Sequence, residues 1–377
     1  MEKSVLIVGG GTGGHISPGI ALYEAFNKRN VAAYMLVGKR DKRFTSLEDV
    51  QENKLLLYNA PPLTKNIFKL PFFIINFVRA ILYAKKVMKR LNTRAIIGMG
   101  GYVSAPALLA ARMKKIPVYL CEQNTVPGKV TARFERSAKA IFGTFAITEK
   151  YLRNKVVYSV LGNPIRDIVF TSKSKEEAKK RFHLSHHKYV ILVIGGSQGA
   201  LSVNNLLFEI NKRYPDELKQ YGIIWSTGSY SYEIFKQKVQ NEMDAGSVYI
   251  SPFINEIGDA YKVCDVAISR SGSGVMVELA AMGIPSILIP YPHAAANHQE
   301  INADAFVDEG AAIKVNQNDE LVENVITALN SLLKNPRALK DMSQQCLSVA
   351  KKDAAQNIAA HIIDIEGLGQ VALKSAS

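Results

Sequence analysis

The stretch from Ser269 to Gln299 has the residue types and spacing to hold a nucleotide sugar. Ser271–Gly274 reads Ser-Gly-Ser-Gly, a turn whose backbone amides can approach a ligand closely because glycine has no Cβ. A helix predicted over about Val275–Met282 would aim its N-terminus, with free N–H groups and the positive dipole end, at an anion there. Glu278 lies one helical turn beyond Gly274, so its carboxylate can turn back toward the same place. A carboxylate repels phosphate but accepts two hydrogen bonds from a sugar diol. Asn297, His298 and Gln299 are expected in the loop after a strand over Pro285–Pro292. Amides for a diphosphate, a carboxylate for ribose and side-chain amides for a sugar would make a nucleotide-sugar site. The plainer reading is an ordinary helix turn in an α/β domain.

Other glycine turns recur along the chain. Gly9–Gly14 follows an apolar run, Ser4–Val8, and satisfies G-x-G-x-x-G. A dinucleotide fold wants an acidic residue at the end of its second strand. Here that strand, Ala32–Val37, ends in Gly38-Lys39-Arg40, whose charges suit the extra phosphate of NADP, so an NADP-dependent reductase stays open. Gly98–Tyr102 and Gly195–Ala200 are further turns, and Glu122-Gln123-Asn124 closes another strand.

The elements that must position these turns alternate. Strands are predicted at Arg94–Ile97, Val118–Leu120, Ala140–Phe142, Lys188–Ile194, Ile223–Ser226, Val248–Ser251 and Val263–Ile268. Helices are predicted at Ala105–Lys114, Gly128–Ala138, Glu320–Leu333, Pro336–Ala350 and Ala354–Glu366. Repeated strand, glycine turn and helix imply parallel sheets with ligands at the carboxyl ends of the strands. A strand and glycine turn open each half. The Pro-containing Gly162–Arg166, followed by the polar run Ser172–Lys180, reads as a domain joint. The expected fold class is therefore α/β, with two Rossmann-like domains whose parallel sheets face a central cleft. The expected domains are 1–163, 164–350 and a C-terminal helix in 351–377.

Composition narrows the classes. The 377 residues suffice for two domains, and 47% hydrophobic with 21% charged content is globular. A net charge of +14 points to an anionic partner: nucleic acid, an anionic membrane surface or a phosphorylated substrate. Aromatic residues are not interleaved with the basic ones in a nucleic-acid motif, so no nucleic acid is expected. Cys121, Cys264 and Cys346 are far apart without metal-ligand spacing and read as reduced structural thiols. His183, His186 and His187 fall in a polar segment and read as solvated; adjacent histidines do not share a face. No metal and no cofactor are expected. No secretory signal and no apolar run of about 18 residues is found. Phe68–Arg90 mixes large apolar residues with Lys69, Arg79, Lys85, Lys86, Lys89 and Arg90. That suits either a core helix with solvated lysines or a monotopic membrane contact.

Taken in order, Gly10–His15, Gly100–Tyr102, Glu122–Asn124, Gly162–Arg166, Gly195–Ala200 and the Ser269–Gly272 stretch with Asn297–Gln299 resemble the MurG family of peptidoglycan N-acetylglucosaminyltransferases. The resemblance covers nearly the whole chain. It implies a GT-B fold with the last helix crossing back to the first domain. It implies inverting transfer of N-acetylglucosamine from UDP-GlcNAc to undecaprenyl-diphospho-MurNAc-pentapeptide (lipid I), giving lipid II, without a metal on the diphosphate. By matching positions, Glu278 would hold the ribose, the backbone of Ile254 would read uracil, and Arg166 would lie close to the nucleotide. Ser197, Ser273 and Gly274 would contact the diphosphate, and Gln299 the GlcNAc hydroxyls. Thr12, Gly13, Gly14 and Asn124 would reach the transferred sugar, and Gly100, Gly101 and Tyr102 the acceptor. Relatives often carry Thr where this chain has Val275, so a hydroxyl contact is lost there.

Inverting transfer needs a base for the acceptor hydroxyl. His15 is the candidate: it follows the glycine turn at the mouth of a helix, whose N-terminus lowers an imidazole pKa and suits a neutral base. Alternatively it orients the loop or binds an acceptor phosphate. His293 and His298 are expected to stabilise their loop. With a lipid-linked acceptor in view, Phe68–Arg90 becomes the expected contact with the anionic inner leaflet, on the cytoplasmic face of the membrane. Proteins of wall synthesis are further partners that the resemblance allows. Another GT-B transferase, the NADP-dependent reductase and a sugar-nucleotide binder without turnover are the competing readings.

Overall fold

Val-Ile-Leu-Val-Ile at Val190–Ile194 and Ser-Val-Leu-Ile-Val at Ser4–Val8 are buried at every position, as parallel strands covered on both faces by helices must be. The computed structural model describes residues 2–62, 66–196 and 199–369. They form two units: Met1–Arg166 with Lys352–Ser377, and Asp167–Lys351.

The first unit runs β1 (Ser4–Val8), α1 (Gly13–Lys28), β2 (Ala32–Gly38), β3 (Leu55–Tyr58), α2 (Leu70–Arg90), β4 (Thr93–Gly98), α3 (Ala105–Met113), β5 (Val118–Glu122), α4 (Lys129–Phe134), β6 (Ala140–Gly143) and β7 (Tyr158–Val160). Among the described residues its sheet has the order β3-β2-β1-β4-β5-β6-β7, parallel throughout. The loops after β1, β4 and β5 are therefore neighbours at the carboxyl edge. The second unit runs α5 (Lys175–Arg181), β8 (Val190–Ile194), α6 (Leu201–Arg213), α7 (Pro215–Lys219), β9 (Gly222–Ser226), α8 (Tyr232–Glu242), β10 (Val248–Ser251), α9 (Ile257–Val263), β11 (Val266–Ser269), α10 (Ser273–Ala281), β12 (Ser286–Leu288), α11 (His298–Val307), β13 (Ala312–Lys314), α12 (Leu321–Leu333) and α13 (Pro336–Val349). Its parallel sheet has the order β10-β9-β8-β11-β12-β13, which puts the loops after β8 and β11 side by side.

The last helix, α14 (Ala354–Glu366), belongs to the first unit. Its Ala355, Ile358, Ala359 and Ile362 are buried in one core with Ile16, Ile20 and Phe26 of α1. Glu366 anchors its end, accepting from Tyr119 Oη at 2.5 Å and Lys139 Nζ at 2.8 Å. Truncating Ile358 to Ala would cost about 2–5 kcal/mol by cavity formation.

Helix α2 buries Ala80, Ala84, Val87 and Met88, an i, i+4, i+7, i+8 stripe. That stripe starts only at Ala80. Before it, Leu70, Phe72, Ile74, Ile75 and Val78 are exposed, and Phe68 is 91% exposed. Phe73 is only partly exposed and stacks on Phe77 at 5.5 Å.

Several elements differ from the sequence reading. The strand expected at Val263–Ile268 begins at Val266, because Val263 ends α9; Asp265 already meets β8, its N–H donating to Val190 O at 2.8 Å and its carboxylate accepting from the Val190 N–H (2.8 Å) and Lys175 Nζ (2.5 Å). The strand expected over Pro285–Pro292 is Ser286–Leu288; Pro290 and Pro292 have no N–H to continue a ladder. His298 and Gln299 open α11 instead of lying in a loop. Helix α10 starts at Ser273, two residues earlier than expected. The helix expected over Gly128–Ala138 is α4, followed by a 3-10 turn at Glu135–Ser137. The polar run Ser172–Lys180 leads into α5 at Lys175 and forms most of it, with Ser174 and Glu177 capping its start reciprocally. His187 is buried, not solvated, because α5 and the start of β9 close over it: Lys179 Nζ donates to its carbonyl at 2.6 Å.

Candidate functional site

In the first unit the chemistry gathers where β1 and β4 end. Hydrogen bonding between neighbouring strands carries on past them, Met99 N–H donating to Val8 O at 2.8 Å, so the turns Gly9–Thr12 and Met99–Gly101 lie against each other. A Cβ on Gly101 would run into the Gly10 carbonyl oxygen, and one on Gly100 would sit 3.0 Å from His15 Nε2. Only glycine lets the backbones come this close. Ser104 Oγ donates to the carbonyls of Gly100 (3.0 Å) and Gly101 (2.8 Å), holding the second turn.

His15, in the first turn of α1, is half-buried between these turns. Its Nδ1 lies 3.2 Å from Gly10 O and 3.0 Å from Thr12 Oγ1. A carbonyl can only accept, so that contact calls for a proton on Nδ1 and leaves Nε2 with its lone pair. Burial lowers the His15 pKa, against smaller raising effects of the Gly10 bond and the Asp41 carboxylate. The sequence points to the helix N-terminus as the cause; here the larger one is desolvation. The outcome is a neutral imidazole with one basic nitrogen.

Asn124 is positioned by a buried carboxylate. Glu122, at the end of β5, accepts from Asn124 N–H at 3.1 Å, Gly128 N–H at 2.9 Å and Thr131 Oγ1 at 2.6 Å, and so shapes the whole 123–128 loop. Gln123 Oε1 lies beside Gly100. The structure thus brings together Thr12, His15, Gly100 and Gly101, with Tyr102 ringed against Gly11 and Asn124 on the adjoining loop. Gly13 and Gly14 open α1, with Thr12 and Gly14 exposed. Arg166 is buried, with Nη1 3.3 Å from Asp49 Oδ2 and Nε without a partner among the described residues. Cys121 is buried and its thiol pKa is pushed up by desolvation, which fits a structural thiol.

In the second unit, the loops after β8 and β11 flank the N-terminus of α10. A Cβ on Gly196, Gly272 or Gly274 would meet no atom of the described residues within 4 Å, which leaves room beside that N-terminus among them. Glu278, half-buried, is held from behind by Tyr261 Oη, which donates to its Oε2 at 2.7 Å from a buried ring on α9. Ile254 is buried in the loop after β10, which is tied to the loop after β9 by Gly228 N–H donating to Pro252 O at 3.1 Å. Gln299 Oε1 accepts from Tyr291 N–H at 2.9 Å, which fixes the side chain on the first turn of α11. His298 Nδ1 meets Ala295 O at 2.7 Å, a loop contact, and His293 packs edge-on to Tyr291. Ser197 lies outside the described residues.

Sequence reasoning missed Arg270, Tyr261 and Asp41. Buried Arg270 donates through Nη1 to the carbonyls of Ile289 and Pro290 (3.0 Å each) and through Nη2 to Ser202 Oγ and Gln317 Oε1 (2.8 Å), with Tyr291 stacked at 5.4 Å. It clamps the ends of β11 and β12 to the start of α6. Its one signal was a charge inside an otherwise small and apolar stretch. Asp41 accepts from Gly11 N–H (2.9 Å) and Gly38 N–H (3.1 Å) and sits beside the basic residues that suggested NADP. No group of three or more His, Cys, Asp or Glu residues suited to a metal occurs among the described residues.

Comparison with known proteins also divides the chain in two, although the second match runs on into the start of α14. Residues 5–143 match the glycosyltransferase family 28 N-terminal domain, and residues 190–358 match the glycosyltransferase family 28 C-terminal domain. The chain is 35% identical over 371 residues, 97% of its length and 100% of the other's, to the UDP-N-acetylglucosamine–N-acetylmuramyl-(pentapeptide) pyrophosphoryl-undecaprenol N-acetylglucosamine transferase of Leptospira interrogans. It is 32% identical to the protein of the same name from Chlorobium limicola, over 96% and 99% of the two chains. Among solved structures, Acinetobacter baumannii MurG matches with a TM-score of 0.69 at 26% identity, over 97% of this chain and 100% of that one.

Proposed function

This chain belongs to glycosyltransferase family 28, and from that premise we infer what its residues do. It is a UDP-N-acetylglucosamine-dependent glycosyltransferase that transfers N-acetylglucosamine to undecaprenyl-diphospho-MurNAc-pentapeptide, forming lipid II. The reaction is a direct displacement with inversion. The acceptor oxygen bonds to C1 of GlcNAc, the bond from C1 to the UDP oxygen breaks, and the acceptor proton goes to His15 Nε2. The observation that carries this role is the Gly10 carbonyl on Nδ1, which leaves Nε2 as the basic nitrogen of a neutral imidazole.

The leaving diphosphate is held by the N-terminus of α10 with Ser273 and Gly274, and by Ser197. Glu278 takes the ribose diol, Ile254 reads uracil through its backbone, and Gln299 meets the sugar hydroxyls. Thr12, Gly13, Gly14 and Asn124 contact the transferred GlcNAc, Arg166 the nucleotide, and Gly100, Gly101 and Tyr102 the acceptor. The room beside Gly272 and Gly274 among the described residues and the fixed carboxylate of Glu278 support the donor half of this reading.

The acceptor lipid is met by peripheral contact with an anionic bilayer. The exposed Phe68, Phe72, Ile74 and Ile75, flanked by Lys69 and Arg79, support this; no helix among the described residues is long and apolar enough to cross a membrane. Transfer of labelled GlcNAc from UDP-GlcNAc to lipid I, with anomer determination by NMR, tests the whole reading. His15→Ala should lose turnover far more than UDP-GlcNAc affinity, and near-normal turnover would remove His15 from the mechanism. Phe68, Phe72 and Ile75→Ser together should weaken binding to vesicles containing anionic lipid while sparing transfer to a soluble acceptor analogue. Unchanged vesicle binding would reject the membrane contact.

A further inference from the structure

The turn after β1 joins His15 to a carboxylate that the reaction above leaves unused. One peptide group, between Gly10 and Gly11, faces both. Its carbonyl oxygen lies 3.2 Å from His15 Nδ1, and its N–H donates to Asp41 Oδ1 at 2.9 Å. The C=O and N–H of a trans peptide point in opposite directions, so carboxylate, peptide and imidazole form one chain of hydrogen bonds. Asp41 is itself fixed: it is 3% exposed, and its Oδ2 accepts from Gly38 N–H at 3.1 Å at the end of β2. The peptide cannot swing away, because Gly101 packs against the Gly10 oxygen.

We propose that Asp41 is a positioning residue for His15, acting through the Gly10–Gly11 peptide to hold Nδ1 protonated and Nε2 bare. A carboxylate on the N–H polarises the peptide and makes its carbonyl a stronger acceptor, by about 10–30% per bond in such chains. The stronger acceptor selects the tautomer that donates from Nδ1. Thr12 Oγ1, also near Nδ1, is a hydroxyl that either donates or accepts and so cannot select a tautomer by itself. Of the groups facing this corner, Tyr102 and Gln123 are uncharged, and Asp41 is the charged group that acts on His15. Burying a carboxylate here is costly without donors, and both of its oxygens have one.

The proposal rests on His15 being the base, so the test separates the two. Nitrogen-15 NMR of histidine-labelled protein reads the tautomer directly. The Nδ1–H form is expected for His15, and the Nε2–H form in the wild-type protein would overturn the proposal without any variant. Asp41→Asn keeps the shape and one acceptor oxygen but removes the charge. It should shift His15 toward the Nε2–H form and lower kcat by roughly tenfold to a hundredfold. The KM for UDP-GlcNAc should stay nearly unchanged. Because the Asp41 charge raises the His15 pKa, its loss should move the acid limb of the pH–rate profile to lower pH. A variant with lowered kcat but an unmoved limb and tautomer would show a merely structural aspartate and overturn the proposal. An active His15→Gln enzyme would overturn the base role first, and the positioning role with it.

Discussion

Gly101→Ala is the sharpest test of how the first unit's site is built. Gly101 has φ 74° and ψ 151°, a region that is essentially glycine's alone and costs other residues about 1–3 kcal/mol. The added Cβ would also run into the Gly10 carbonyl oxygen and lie 3.2 Å from His15 Nδ1. To regain van der Waals contact the Gly10 carbonyl must retreat by on the order of 1 Å. That breaks its 3.2 Å contact with Nδ1, worth about 0.5–1.5 kcal/mol. Together these give about 2–4 kcal/mol, and at about 2–4 °C per kcal/mol a fall in Tm of roughly 4–16 °C. A displacement of this size at a reacting group costs about a hundredfold in rate. Thermal unfolding and steady-state transfer to a soluble lipid I analogue measure both. A variant with wild-type Tm and turnover would refute the reasoning that only glycine fits here and that the two turns jointly hold His15.

Three further outcomes are expected. Tyr261→Phe removes the hydroxyl behind Glu278 and should raise the KM for UDP-GlcNAc about tenfold, with kcat little changed; calorimetry with UDP and 2′-deoxy-UDP should show weaker discrimination between them. Arg270→Lys cannot reproduce a planar fork reaching four acceptors and should cost about 2–4 kcal/mol, read as a lower Tm with weakened UDP binding. His15, with its pKa depressed by burial, contributes stability that is present above the ordinary value of 6.5 and lost as pH falls through the folded pKa. His15→Gln should therefore flatten the stability–pH curve just below 6.5 in urea titrations, and an unchanged slope would contradict the depressed pKa.

What was readable at the outset was whatever short-range physics settles. Apolar runs ending in glycine identify buried parallel strands and their ligand-facing ends. The offset from Gly274 to Glu278 fixes a helical relation whatever surrounds it. Boundaries near Pro290 and Asp265 slipped because apolar runs alone do not say where the ladder stops. The limits are set by the missing N–H groups of the prolines and by the helix that runs up to Val263.

The sequence by itself determined the alternation of elements, the glycine turns and the motifs that carry the family resemblance, because each is written in contiguous residues. Only the tertiary structure decided that Asp41 reaches Gly11, that Tyr261 stands behind Glu278 and that Arg270 joins four separate segments. It also decided that α14 returns to α1 and that the apolar residues at the start of α2 are exposed. These depend on strand order and on which faces other elements bury. Hydrogen bonds and apolar contacts between distant residues exist only once the sheets have set the distances, and no local pattern encodes them.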